Sequence, residues 1–342
     1  MGQTVLVGIL DWGLGHASRS VPLIRRFIQR GYEPVIMSSG MPLHWLSAIF
    51  PSLPTVALPS LRIRYPSRFS ALLPWHTAWQ LWHRRKMLQN ENAAVEKWVR
   101  YYRPAFIYSD NRPGFFSSQV PSYYLTHQLH VTTPFFSGMA SAVHRHLMRH
   151  FHEIWVPDFK SHPNLSGKLG HPQKKPENLK YLGPLSRYDY KRGAAEIDWL
   201  IVLSGPEKQR TVLENNILRH QHLFEGKVCL IRGTHQKPLQ AIPTHWDVVD
   251  LANNEQLGNA ALKARRILSR SGYSSIMDWF VMQRQAVLIP TPGQPEQLYL
   301  ANHLSRLGLF PYVHQHRLDD LQHISYRNYY SFHIFPKTQS YA

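Results

Sequence analysis

The first residues able to do chemistry lie near the start of the chain, in the turn Gly13-Leu14-Gly15-His16 after an apolar run. The glycines at both ends of Leu14 let the backbone turn tightly and let a ligand approach it. His16 falls at the start of the next predicted helix, where the helix dipole lowers the pKa of an imidazole and favours the neutral form. His16 is therefore a candidate general base, the alternative being a histidine that stabilises the turn by bonding to the backbone.

The same turn does not match the fingerprint of dinucleotide-binding proteins. Ser18 occupies the position of the third glycine, and the second predicted strand ends in Ser38 and Ser39, where that fingerprint has an acidic residue for the ribose. The pattern argues against a nicotinamide-dependent enzyme.

A second group of polar residues lies in the C-terminal half, in the sequence LSRSGYSSIMDWF. It places Arg270, Ser271, Gly272 and Ser274 at a predicted strand-to-helix junction, where backbone N–H groups and the helix dipole suit a phosphate. Asp278 follows one helical turn beyond Ser274, within reach of ribose hydroxyls on the same face. The alternative is a capped helix with a solvent-facing aspartate.

Just downstream, the sequence IPTPGQPEQLYL predicts a rigid turn followed by a helix. Gly293 and Gln294 lie in the turn, and Glu296 and Gln297 begin the helix. A carboxylate beside an amide can make paired hydrogen bonds to the hydroxyls of a hexose.

A third turn, Ser204-Gly205-Pro206-Glu207, closes a predicted strand and opens a helix, with Lys208 and Arg210 nearby. It is a candidate cradle for a diphosphate. The chain contains no Asp-x-Asp, so a divalent metal held by paired carboxylates is not expected. The charge of a bound diphosphate would then be met by backbone N–H groups and basic side chains.

The elements that position the first turn form a βαβ unit, with a strand at 4–10, a helix at 17–30 and a strand at 33–38. Further strands are predicted in this half at 105–109, 122–126 and 153–157. The N-terminal half is therefore predicted to be Rossmann-like, with a parallel sheet.

A second α/β series follows a segment rich in Pro, Gly, Lys and Asn. Its predicted strands are 199–203, 227–232, 246–251, 266–269 and 286–290, and its predicted helices are 207–219, 255–263, 274–282 and 296–307. We expect two Rossmann-like domains with the ligand in the cleft between them, outside the carboxyl ends of both sheets. The expected boundaries are a first domain at 1–160, a linker at 161–195, a second domain at 196–325 and a tail at 326–342 that packs back on the first domain.

Two of these motifs, SRSGYSSIMDWF and LIPTPGQPEQLYLANHL, resemble the donor-binding half of family 28 glycosyltransferases, the MurG-like group. The N-terminal GLGHASR is similar to that family's Gly-rich loop ending in His. The resemblance implies a GT-B fold, in which a nucleotide sugar lies against the second domain and the acceptor enters over the first.

The resemblance also implies roles for single residues. Arg270, Ser271 and Gly272 match the donor-phosphate loop, and Asp278 falls where the family has a ribose-binding Glu. The segment with Glu296 and Gln297 contacts the sugar. His16 matches the base that takes a proton from the acceptor hydroxyl, and the family inverts the anomeric centre without a covalent intermediate.

Two further segments, YSDNRPGF and THQLH, resemble an uncharacterised bacterial subgroup. Both follow predicted strands of the first domain, so we expect them to face the cleft. Asp110 is a second candidate base, or a residue that orients His16. The acceptor side is then predicted to include Gly13, Gly15, Asn111, Arg112 and His127.

Charge adds a prediction about the partner. The chain has 39 Lys and Arg against 21 Asp and Glu, and no carboxylate lies between Glu33 and Glu91. In that interval three tryptophans at helical spacing precede a basic cluster, which suits either an interfacial helix on anionic lipid or a core-facing stripe with a solvated basic end. The residues are Trp75, Trp79, Trp82, Arg84, Arg85 and Lys86.

Together these patterns predict an inverting, metal-independent glycosyltransferase that moves a hexose or N-acetylhexosamine from a UDP-sugar to a hydroxyl of an unknown, lipid-linked acceptor. No cofactor is expected besides the nucleotide sugar as co-substrate. With no export signal and a single Cys229, we expect a cytoplasmic protein, peripheral on the inner face of the membrane. The alternatives are a nucleotide-sugar 2-epimerase of the same fold and a basic nucleic-acid-binding protein, the latter disfavoured because no nucleic-acid motif is present.

Overall fold

The computed structural model describes residues 2–60, 73–130 and 144–336, with the backbone alone for 73–85. The chain forms two compact units. Of the described residues, the first unit contains those up to 157 together with 170–182, and the second contains 158–169 and 183–336. The segment 161–195, predicted as a linker, therefore contributes to both units.

The first unit is built on a seven-stranded parallel sheet in the order β3-β2-β1-β4-β5-β6-β7. The strands are β1 (Gln3–Ile9), β2 (Tyr32–Ser38), β3 (Thr55–Ala57), β4 (Phe106–Asp110), β5 (Ser122–Leu125), β6 (Glu153–Val156) and β7 (Leu179–Tyr181). The central strand β1 pairs with β2 and β4, and its residues from Val5 to Ile9 are buried. A strand buried on both faces is what a parallel sheet covered by helices requires.

Three helices of this unit are α1 (Leu14–Gln29), α2 (Gly40–Ile49) and α3 (Leu73–Tyr102). Gly13 precedes α1 with φ of +84°, in the left-handed region that favours glycine, so the chain can leave β1 and enter the helix at once. Apolar positions of α1 such as Val21 and Ile24 are buried, which fixes the face that carries His16.

The predicted Trp and basic segment falls in α3. The side chains of Trp75, Trp79, Trp82, Arg84 and Arg85 lie outside the described residues, while Lys86 is exposed. Among the helices in the described ranges, none is long and apolar enough to cross a membrane.

The second unit contains a five-stranded parallel sheet in the order β10-β9-β8-β11-β12. Its strands are β8 (Ile197–Val202), β9 (Val228–Ile231), β10 (Asp247–Val249), β11 (Ala264–Arg270) and β12 (Ala286–Ile289). Its helices are α4 (Glu207–Arg219), α5 (Asn254–Lys263), α6 (Tyr273–Val281) and α7 (Pro295–Arg306). The strand order reverses between β8 and β11, which is where open α/β sheets bind ligands, at the carboxyl ends of the strands.

The described part of the C-terminal segment packs against residues of the second unit. The ring of Phe335 lies 5.0 Å from that of Phe280 and 6.0 Å from that of Phe159. The described part of this segment, 326–336, therefore completes an aromatic cluster of its own unit. Residues 337–342 lie outside the described residues.

Candidate functional site

In the first unit, three polar groups meet at the carboxyl edge of the sheet. His16 begins α1 directly after β1, Asp110 ends β4, and His127 follows β5. Because β1, β4 and β5 are adjacent parallel strands, their carboxyl ends lie at the same edge. Sequence reasoning brought these residues to one domain, and the structure places them in one hydrogen-bonded cluster.

The Asp110 carboxylate is the centre of this cluster. It is fully buried, its Oδ1 lies 2.7 Å from His16 Nδ1, and its two oxygens accept hydrogen bonds from Arg19 at 2.5 and 2.8 Å. Ser20 Oγ donates a further bond of 3.0 Å to Oδ2. Burial alone would raise the pKa of Asp110, but Arg19 and His16 lower that pKa below its usual range, so the carboxylate is ionised at neutral pH.

His16 is arranged to accept a proton. Burial and the Arg19 charge lower its pKa, against the opposite effect of Asp110, so the imidazole is neutral at neutral pH. Its Nδ1 faces the carboxylate, and its Nε2 has no hydrogen-bond partner among the described residues. The side chain keeps 16% of its surface exposed. A neutral imidazole that is held at one nitrogen by a carboxylate has the charge state and the orientation that a general base requires.

Sequence reasoning missed Arg19, although it ends the GLGHASR motif. Arg19 is 2% exposed and also donates to His127 Nδ1 at 2.8 Å. The available signal was its position three residues after His16, which puts both on one face of a helix.

The residues predicted for the acceptor side divide into two groups. Gly13 has no atom within 4 Å of an added Cβ, so space lies beside the first turn, to which Gly15 also belongs. Asn111 has φ of +54°, and its Oδ1 accepts a bond of 3.0 Å from Tyr124.

Arg112 corrects the prediction, because it does not face a ligand. It is fully buried, and its Nε lies 2.5 Å from the carboxylate of Glu91, which α3 supplies. Its remaining donors reach the backbone carbonyls of Ile9 and Pro59. Arg112 therefore ties the ends of strands together rather than binding a substrate.

In the second unit, Arg270 lies at the end of β11. It is 2% exposed, and its Nη2 donates to Gln315 Oε1 at 2.6 Å and to the carbonyl of Gln209 at 2.9 Å. Its Nε is buried without a partner, and no carboxylate of the described residues pairs with it. Burial lowers the pKa of Arg270 to about 10, which leaves the guanidinium charged at neutral pH. A buried cation without a counter-ion among the described residues fits a site for an anion.

Three glycines of the predicted donor loops leave open space at the same edge. Gly205, Gly272 and Gly293 follow β8, β11 and β12, which are neighbours in the sheet. An added Cβ at any of the three would meet no atom within 4 Å. Ligand atoms can therefore approach the backbone at these loops, including the start of α6, where Ser274 is half-buried.

Two predicted donor residues support these loops from inside. Ser271 Oγ donates to the carbonyl of Gln297 at 2.9 Å. The Gln297 side chain accepts a bond from Thr291 N at 2.9 Å and donates to Gln294 Oε1 at 2.6 Å, which closes the turn before α7. Glu296 beside it is half-buried, and Ser204 in the first of the loops is exposed.

Asp278 lies where the prediction did not expect it. It is 3% exposed, and its oxygens accept bonds from Ser186 Oγ at 2.7 Å and Arg187 Nε at 3.2 Å. Burial raises the pKa of Asp278, and the Arg187 charge acts in the opposite direction. The carboxylate anchors the segment before β8 instead of reaching into open space.

The basic residues near the third loop also differ from one another. Lys208 is exposed, whereas Arg210 is 2% exposed and paired with Glu207 and Glu214. Its charge is already neutralised, so it is not a diphosphate ligand. Across the described ranges, no group of three or more His, Cys, Asp or Glu side chains is placed to hold a metal ion.

Comparison with known proteins shows what kind of fold these sites belong to. No family model and no curated protein matches the sequence. Among solved structures, the glycosyltransferase of kitacinnamycin covers 96% of this chain and 91% of its own, with 14% identity and a TM-score of 0.64. Arabidopsis thaliana UGT89C1 complexed with UDP-L-rhamnose covers 96% and 90%, with 12% identity and a TM-score of 0.62. MurG of Acinetobacter baumannii covers 94% and 89%, with 11% identity and a TM-score of 0.57.

These similarities run along almost the whole chain and include both parallel sheets. The protein has the GT-B fold, and the predicted α/β class is confirmed.

Proposed function

We propose that the protein is an inverting glycosyltransferase that moves a sugar from a nucleotide sugar to a hydroxyl of an acceptor. The observation that carries the proposal is the His16–Asp110 pair, joined at 2.7 Å, in which the neutral imidazole has no hydrogen-bond partner at Nε2 among the described residues. A base of this kind is what an acceptor hydroxyl needs in order to attack a carbon centre.

The second unit supports the identity of the donor. The uncompensated Arg270 and the open backbone at Gly205, Gly272 and Gly293 fit a diphosphate. UGT89C1 is complexed with UDP-L-rhamnose, a nucleoside diphosphate sugar. We therefore assign the donor to this class, with a uridine base and a hexose or N-acetylhexosamine as the sugar.

The reaction follows from these roles. The acceptor oxygen attacks the anomeric carbon as its proton moves to His16 Nε2, and the bond between that carbon and the diphosphate oxygen breaks. The leaving nucleoside diphosphate carries the negative charge, which Arg270 and the N–H groups at the start of α6 stabilise. A single displacement inverts the anomeric centre, and no bond to the protein forms.

The acceptor in this proposal is a hydroxyl compound linked to lipid, reached from the cytoplasmic face of the membrane. The support is the absence of carboxylates between Glu33 and Glu91, an interval that contains several arginines. Sedimentation with vesicles of phosphatidylglycerol, compared with phosphatidylcholine alone, tests this part. Binding to the anionic vesicles only is expected, and equal recovery with both kinds of vesicle removes the membrane from the proposal.

The donor is tested by thermal unfolding with saturating UDP-, GDP- and dTDP-sugars, each with and without EDTA. One nucleotide sugar should raise the unfolding temperature, because a ligand that binds only the folded state stabilises it. The rise should survive EDTA, since the reaction is proposed to need no divalent metal. No shift with any donor, in a protein that unfolds cooperatively, rejects the proposal.

The product distinguishes transfer from epimerisation. When the donor that binds is incubated alone, proton NMR should show no epimer at C2 of the sugar. When hydroxyl acceptors are added, the new glycoside should have the opposite anomeric configuration to the donor. Conversion of the donor at C2 without an acceptor would identify an epimerase instead.

A further inference from the structure

Arg19 makes a set of contacts that constrains the protons of the whole cluster. Its Nε donates to Asp110 Oδ2 at 2.8 Å and its Nη2 donates to Asp110 Oδ1 at 2.5 Å. Its Nη1 lies 2.8 Å from His127 Nδ1. A guanidinium has N–H donors and no acceptor, so an atom that is hydrogen-bonded to it must be the acceptor of that bond.

The proton of His127 is thereby placed. Since its Nδ1 accepts from Arg19, that nitrogen carries a lone pair, and the proton of the neutral ring is on Nε2. His127 is 9% exposed and can donate a hydrogen bond from Nε2.

The proton of His16 is placed by a triangle of atoms. Arg19 Nη2, His16 Nδ1 and Asp110 Oδ1 are separated by 2.5, 2.7 and 2.9 Å, the longest side joining the two nitrogens. If His16 Nδ1 accepted from Arg19, its lone pair would face the carboxylate oxygen at 2.7 Å. Two donors that converge on Oδ1 avoid that repulsion, so Nδ1 carries the proton and Nε2 carries the lone pair.

We infer that Arg19 is a positioning residue that holds His16 and His127 as opposite neutral tautomers, one with its proton on Nδ1 and the other with its proton on Nε2. The same side chain thereby sets up a proton acceptor at His16 and a hydrogen-bond donor at His127. The use of this pair on an acceptor hydroxyl rests on the proposed function, whereas the tautomers are a property of the folded protein.

The charges around His16 make its pKa a second quantity that can be measured. The groups that face it are Arg19 from α1, Asp110 from β4 and His127 from the segment after β5, with Tyr108 behind the carboxylate. Arg19 lowers the pKa of His16 and Asp110 acts in the opposite direction. Removal of the guanidinium should therefore raise the pKa of His16.

The tautomers are measured by long-range proton–nitrogen correlation spectra of protein labelled with [15N]histidine. The signals of His16 and His127 are assigned by their loss in His16→Gln and His127→Gln. In the wild type at pH 7.5, His16 should show its proton on Nδ1 and His127 on Nε2. This measurement uses no substrate, so its outcome is independent of whether a nucleotide sugar binds.

Variants at Arg19 test whether its guanidinium determines the tautomers of His16 and His127. In Arg19→Gln the His16 titration midpoint should rise, and His127 should populate both tautomers. Arg19→Lys keeps the charge but not the fork of donors, so it should restore the His16 midpoint more than the His127 tautomer.

Arg112→Gln is the matched control, because Arg112 is an equally buried arginine in the same unit, paired with Glu91. It should leave the His16 midpoint and both tautomers unchanged. The inference is overturned by a proton on His16 Nε2 or His127 Nδ1 in the wild type, or by an equal midpoint shift in Arg112→Gln. If Arg19→Gln does not fold, the tautomers measured in the wild-type protein still support or overturn the inference.

Discussion

Two buried arginines show how differently the two units treat a charge. Arg19 in the first unit is matched by the ionised Asp110, and the pair is further bonded to His16 and Ser20. Arg270 in the second unit has only neutral acceptors, and its Nε is unsatisfied. The first arrangement pairs the cation with a carboxylate and holds the His16 imidazole, while the second contains a cation with no carboxylate partner among the described residues.

The largest expected effect is on turnover. Since His16 Nε2 is proposed to take the proton of the acceptor, His16→Gln should lower the rate of transfer by about 10²- to 10⁴-fold. The dissociation constant of the donor, measured by calorimetry, should stay the same because the donor is assigned to the second unit. A variant that transfers at nearly the wild-type rate would remove His16 as the base.

The next effect is on stability, in the first unit. Asp110→Asn leaves Arg19 as an unpaired buried charge, so the free energy of unfolding should fall by about 3 to 5 kcal/mol. Urea unfolding measures this loss. An unchanged free energy of unfolding would show that the Asp110 carboxylate does not stabilise the buried charge of Arg19.

The pH dependence of that loss has a definite sign. Because the pKa of Asp110 is lower in the folded than in the unfolded protein, its contribution is fully present above the unfolded value of about 4. The contribution is lost as the pH falls through the folded value. The difference between wild type and Asp110→Asn should therefore be constant from pH 8 to 5 and shrink below about pH 4, and a difference that grows on acidification would contradict the assignment.

Arg270→Gln should affect donor binding more than stability. Removal of an uncompensated buried charge should change the free energy of unfolding little, since the acceptors that lose a donor, Gln315 Oε1 and the Gln209 carbonyl, are neutral and no charged partner is left unpaired. Donor binding should weaken by about 10- to 100-fold, the equivalent of one charge-assisted hydrogen bond. Calorimetry and urea unfolding on the same variant separate the two effects, and strong destabilisation with unchanged donor affinity would make Arg270 a structural residue.

The smallest effect is expected at Gly272, where the backbone has φ of −71° and an added methyl group meets no protein atom. Gly272→Ala should leave stability unchanged or raise it by about 0.4 to 1 kcal/mol. The methyl group would occupy space assigned to the diphosphate, so donor affinity should fall several-fold. Unchanged affinity would place the diphosphate away from this loop.

The sequence predicted most of the fold because both sheets consist of short apolar runs bounded by glycine turns. The strands β1, β2, β4 and β11 and the helix α4 lie within a few residues of their predicted positions. The structure also contains β3, α2 and β7, which the prediction lacked, because their residues show no clear periodicity.

The site was predicted less completely, for a physical reason. Glycine turns and a histidine at a helix start can be recognised from the local sequence, whereas the partner of a buried charge depends on long-range packing. Arg112 was placed on the acceptor side, yet Glu91, distant in sequence, neutralises it. Asp278 was assigned to a ribose, yet Ser186 and Arg187 bind it. The roles assigned to His16, Asp110 and the donor loops stay predictions.

A crystal structure of the protein with its best-binding nucleotide sugar tests the central claim most directly. We expect the diphosphate to lie against the backbone at Gly205, Gly272 and Gly293, at the carboxyl ends of β8, β11 and β12 and within reach of Arg270. A nucleotide bound at another edge of the second sheet, or in the first unit, would contradict it.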